Sequence, residues 1–82
     1  MINNFDSLRD YLVTQQELGN QHVFLAFEEI EVMVGKLPAG ASHKKSWWHG
    51  VNSAQAKAWR NAGWAVDTVG FAAKRVAFRR IN

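Results

Sequence analysis

The sequence predicts an α+β domain in which helices and short strands follow one another in the order α-β-α-α-β-β. Three observations carry this. Stretches with apolar residues at i, i+3 and i+4 mark helices, runs of β-branched and aromatic residues mark strands, and glycine or capping residues fall at the joints. With 82 residues, the chain is expected to form one domain over residues 1–82. A chain of this size buries only about 60% of the surface it exposes when unfolded, so its core is thin. Four Trp, five Phe and one Tyr supply large apolar area per residue. No cysteine is present, which excludes a disulfide framework or a thiolate metal site.

The first helix is read in "NNFDSLRDYLVTQQELGN", with Asp6 as N-cap, Leu8, Tyr11 and Leu12 on one face, and Gly19-Asn20 as the stop. "HVFLAF" is too short for a helix and rich in strand formers, so it is the first strand. "FEEIEVMVG" carries the stripe Phe27, Ile30, Met33, Val34, with glutamates suited to a first turn and Gly35 to close it. Lys36 to Asn52 is expected to be irregular, with at most a short helical turn. "NSAQAKAWRNAG" is the third helix, capped by Asn52 or Ser53 and ended by Gly63. On its wheel Gln55, Ala58, Trp59 and Ala62 share one face. Ser53, Lys57, Arg60 and Asn61 share the opposite one, with Ala56 beside them. "WAVDTVGF" and "RVAFRRI" complete a three-stranded antiparallel sheet near 22–26, 64–71 and 75–81, with Trp64, Val66, Val76 and Phe78 inward. Leu8, Leu12, Leu25, Ile30, Val34 and Trp59 complete the expected core. This order is that of a winged helix: three helices, a strand after the first, and a C-terminal hairpin after a surface-lying third helix.

Charge is divided along the chain. Residues 1–35 carry six carboxylates against one arginine (net −5), and residues 36–82 carry nine cations against Asp67 (net +8). The basic residues fall in three segments that a winged helix places on one side. The loop holds Lys44 and Lys45, the third helix Lys57 and Arg60, and the hairpin Lys74, Arg75, Arg79 and Arg80. A surface of one sign, assembled from separate segments, is the footprint of a phosphate-binding protein. In this reading Ser53 and Asn61 lie beside Lys57 and Arg60. Within "SHKKSWWHG", one of Trp47 and Trp48 is expected to anchor the loop. The other either is buried with it, the favoured and architectural reading, or covers an edge or stacks on a base beside Lys44, Lys45 and His49.

Catalytic chemistry finds little support. His22, His43 and His49 lack the spacing of a metal site, and neighbouring glutamates on the second helix diverge. No nucleophile–base pair stands out, and "GKLPAG" lacks the context of a phosphate loop. The expectation is therefore no enzyme, no catalytic residue, no metal and no cofactor. No apolar run is long enough to span a membrane, and Asp6 and Asp10 argue against a signal peptide. A cytoplasmic protein without a membrane partner is expected.

"FDSLRDYL", "FEEIEVMVGKLPAGA", "WWHGVNSAQAKAWRNAGWAVDTV" and "VAFRR" together resemble a family of small, functionally uncharacterised bacterial and mobile-element domains. The shared pattern is Trp-Trp…Gln-Ala…Trp…Ala-Gly-Trp…Phe-Arg-Arg. Its Trp-Trp to Gly-Trp block is the most specific part. One departure is Ala26, where a Thr or Ser cap is expected. The resemblance implies a compact, winged-helix-like domain and no agreed activity.

Two functions follow as expectations. The first is binding of nucleic acid, duplex DNA above all, in a regulatory or accessory role. The alternative is a phage or mobile-element protein that inhibits a bacterial defence complex, in the manner of an anti-CRISPR protein, through protein–protein contacts.

Overall fold

The computed structural model describes residues 5–81. Its elements are α1 (Phe5–Glu17), β1 (His22–Ala26), α2 (Phe27–Val34), a 3-10 turn (Ala39–Ser42), α3 (Lys45–His49), α4 (Ala54–Asn61), β2 (Trp64–Gly70) and β3 (Arg75–Arg80). The expected α+β order is present, with the stretch read as irregular supplying the 3-10 turn and a fourth helix, α3. The helix expected third in sequence is therefore α4.

In α1, Leu8 and Leu12 are buried. The helix is already under way at Phe5, so Asp6 lies inside its first turn and pairs with Arg9 (3.3 Å) rather than capping it. Asn3 and Asn4, included in the expected helix, lie outside the described residues. The C-terminal stop works as expected. Gly19 adopts φ 84°, and the Gly19 and Asn20 amides donate back to the carbonyls of Gln16 and Gln15. This is a Schellman closure, in which a residue without Cβ takes the left-handed position at no steric cost.

At the start of α2, alanine has no side-chain acceptor, so only half of a capping box forms. The Ala26 amide donates to Glu29 Oε1 at 2.7 Å. Glu31 leaves the helix surface to accept from the Leu37 amide (2.9 Å) and so holds the loop that follows.

The sheet is antiparallel, in the order β1-β3-β2. His22 faces Arg79 and Ala26 faces Arg75 across β1–β3; Trp64 faces Arg80 and Gly70 faces Arg75 across β2–β3, with a bulge at Asp67. Val23, Leu25, Trp64, Val66, Val76 and Phe78 point to the helices and are buried. The whole expected core is buried, together with Phe27, Ala41, Trp48, Ala56 and Ala62.

An aromatic column runs through this core. Trp48 lies nearly parallel to Phe27 (5.5 Å, 16°) on one side and Trp59 (5.9 Å, 19°) on the other, and Trp59 meets Phe78 edge-on (5.6 Å, 65°). Two buried indoles find carbonyls for their donors: Trp48 Nε1 donates to Ala41 O (2.7 Å), and Trp64 Nε1 to Leu12 O (3.0 Å). Trp47 sits edge-on to Trp48 at 4.6 Å and is half-buried against Phe5 and Trp59. The tryptophan pair is thus primarily architectural.

Candidate nucleic-acid interface

Helix α4 begins at a sound cap, since Ser53 Oγ accepts from the Ala56 amide (3.2 Å). It buries Ala56 and Trp59 and packs against α1. Ala56 therefore belongs to the packing face and not beside the polar strip. A methyl-sized side chain fits either assignment on a wheel, and the close approach of α1 decides it. The opposite face presents Lys57, Arg60 and Asn61, all exposed, and none of the salt bridges among the described residues involves them. Ser53 is half-buried, with its oxygen engaged in capping.

Helix α3 is fastened to α4. Gln55 Nε2 donates to Trp47 O (3.3 Å), and both Trp47 and Trp48 pack on Trp59. This joins Lys44, Lys45 and His49, all exposed, to the same helical layer as Lys57 and Arg60. Lys44 occupies the N-cap position of α3, and no ion pair of the described residues engages its ammonium or that of Lys45.

Two candidate residues are withdrawn by their burial. Trp48 is 1% exposed and has no face to offer a base; its parallel neighbours on both sides hold it inside. Arg80 follows Val76 and Phe78 on the inward face of β3, is half-buried, and holds its guanidinium 6.0 Å from the Trp64 ring. Strand alternation sends it away from the surface that Arg79 faces.

The four hairpin cations do not form one flank. Lys74 and Arg75 stand at the tip, and Arg79 and Arg80 near the base, some 13–20 Å apart along an extended strand. The tip is docked on the start of α2, where the Phe27 amide donates to Lys74 O (2.8 Å). There Lys74, Arg75 and Lys36 line an open groove of about 750 Å³ with Phe27, Glu28 and Glu31. Lys36, in no expected site, thus joins the tip cations. Its position after Gly35 gave no sign of this, because only the folded hairpin brings the segments together. Arg79, on the outer sheet face, lies 4.0 Å from Asp67, with both side chains about half exposed. Such a pair is weak and leaves the guanidinium accessible.

Among the described residues, no group of three or more His, Asp or Glu side chains is arranged to hold a metal ion. No helix there is long and apolar enough to cross a membrane.

What these elements define is a small α+β domain with helices on one face of a three-stranded sheet and a cationic α3–α4 layer. The chain belongs to the family described as domain of unknown function DUF7662, whose family model matches residues 5–81. No curated protein and no solved structure matches it.

Proposed function

We propose that the protein binds nucleic acid, duplex DNA in the first place, in a regulatory or accessory role, and that it does so as a winged-helix-like domain. The element order and the strand order β1-β3-β2 support this architecture. α4 would then be the groove-entering helix and the 70–75 hairpin the wing. The observation that carries the functional reading is the outward face of α4: Lys57, Arg60 and Asn61 are exposed together, opposite a buried Trp59, and make no ion pair among the described residues. A helix of eight residues is about 12 Å long, comparable with the width of a B-DNA major groove. Arg60 and Asn61 are side-chain types that read guanine and adenine edges.

Lys44 and Lys45, on the segment fastened to α4, supply phosphate contacts in this reading. At the wing tip, Lys74 holds φ 55°, a left-handed conformation that glycine would take more readily. Its carbonyl is held there by the Phe27 amide, and its exposed side chain would supply a phosphate contact from the tip in this reading.

The test is fluorescence anisotropy against duplex DNA, single strands and RNA at two salt concentrations. Affinity for duplex should fall steeply with salt. Arg60→Ala should relax base preference, with a discrimination loss of about 1–3 kcal/mol. Lys44→Ala should weaken all sequences alike and flatten the salt slope by about 0.9, the share of one neutralised phosphate. Absence of binding even at low salt sinks this reading and turns attention to a protein partner such as a defence complex, sought by pull-down from a bacterial lysate.

A further inference from the structure

The sheet has a second face, turned away from the helices, and it is not an ordinary polar one. On β1, Phe24 is 69% exposed while its neighbours Val23 and Leu25 are buried beneath it. Directly across from Phe24 on β3 lies Ala77, and the two diagonal positions, about 7–8 Å away, are Arg75 and Arg79. Beyond Ala77 on β2 comes Thr68. The small Ala77 and Thr68 leave a shallow trough of about 320 Å³ beside the Phe24 ring, bounded at one end by Arg75. His22, two residues before Phe24 on the same face, holds its ring within 15° of parallel to Phe24, with centroids 6.4 Å apart.

We propose that this outer face binds a single-stranded nucleic acid, distinct from the α3–α4 surface and independent of whether that surface binds duplex. Phe24 and His22 supply stacking surfaces for successive bases. The two rings lie within 15° of parallel with centroids 6.4 Å apart, so bases that stack on them are presented side by side in similar orientation. Arg75 and Arg79, on either side of Phe24, take the phosphates. Charge complementarity selects this occupant. The face carries two exposed arginines. Arg79 lies beside Asp67, and Arg75 borders the groove holding Glu28 and Glu31 but is in no salt bridge among the described residues. An anionic strand with a π-face at every residue matches these cations and the exposed ring. An apolar partner, or a second copy of this chain, would have to desolvate both arginines, with Phe24 as the one large exposed hydrophobic side chain between them.

The experiment uses labelled oligothymidylate and oligouridylate, titrated with the full chain. The two arms separate a DNA strand from an RNA strand. Phe24→Ala should weaken binding by about 5- to 150-fold, the range of one base–aromatic stack, while Phe24→Trp retains it and Phe24→Leu does not. Arg79→Ala should reduce the slope of log affinity against log salt by about 0.7. Arg60→Ala should weaken duplex binding more than single-strand binding and Phe24→Ala the reverse, which separates this site from the helical one. Because Phe24 is exposed, the variants should stay folded, checked by circular dichroism. The proposal is overturned if the wild type binds neither oligonucleotide at low salt. It is equally overturned if Phe24→Leu binds as well as wild type, or if sedimentation shows that Phe24→Ala abolishes self-association and leaves strand binding untouched.

Discussion

Replacing Trp48 by alanine removes the centre of the aromatic column, and its cost follows from the contacts. Emptying a fully buried large aromatic site costs about 3–5 kcal/mol through lost transfer energy and the residual cavity. The same change strips the Ala41 carbonyl, itself buried, of the indole N–H that serves it at 2.7 Å, which adds about 1–3 kcal/mol. A domain of 82 residues has a total stability of about 4–12 kcal/mol, so Trp48→Ala should lose about half or more of it at 25 °C and unfold outright if the wild type lies in the lower part of that range. Trp48→Phe keeps a ring between Phe27 and Trp59 but loses the donor, so it should cost about 1–3 kcal/mol and remain measurable. Trp47→Ala should cost less than Trp48→Ala, because Trp47 already leaves part of its ring in water. The measurement is urea unfolding followed by far-ultraviolet circular dichroism, which does not depend on the indole removed. A Trp48→Ala protein that loses less than about 2 kcal/mol, or a Trp47→Ala protein that loses more than Trp48→Ala, would refute this account of the core.

Ser53→Ala removes the α4 cap and should cost about 1 kcal/mol, read as a lowered urea midpoint at unchanged m-value. Gly63, at φ 88° between α4 and β2, should resist substitution, with Gly63→Ala costing about 1–2 kcal/mol on the same assay because a Cβ is strained there. The Arg60, Lys44 and Phe24 variants described above bear on binding and should leave the unfolding transition within about 0.5 kcal/mol of wild type.

How far the fold was legible depended on whether neighbours in sequence carry the signal. Leu8 and Leu12, Ile30 and Val34, and the alternating Val76 and Phe78 announce their faces through local period, and all are buried. Where a distant partner decides, the sequence is mute. Trp47 and Trp48 look alike in the chain, and only the positions of Phe27 and Trp59 choose which of them is enclosed. Glu29 and Glu31 read as ordinary helix-surface acids, yet one caps Ala26 and the other fastens Leu37. The abundance of basic residues in the second half was plain, but their grouping was not. Strand alternation turns Arg80 inward beside an outward Arg79, and the length of β3 parts the hairpin tip from its base. The outward face of Phe24 was within reach, because Val23 and Leu25 bracket it with period two. It was obscured because all three residues are apolar, and a continuous apolar run hides the alternation that a polar neighbour would reveal.

The strand order has a consequence for how the chain is made. β1 lies at a sheet edge, and its sheet partner, β3, begins at Arg75, about fifty residues later. At synthesis rates of about 5–20 residues per second, β1 must wait roughly 3–10 s for that partner to be polymerised. Helix α1 waits similarly, since the Leu12 carbonyl is met by an indole at position 64. During this interval the nascent segment His22–Ala26 presents Val, Phe and Leu with an unpaired backbone, the kind of stretch that chaperones cover and that neighbouring nascent chains join. Loop closure over such distances also slows the search once all partners exist. Production of this domain should therefore be sensitive to crowding on polysomes and to chaperone supply, even where the finished protein is well behaved.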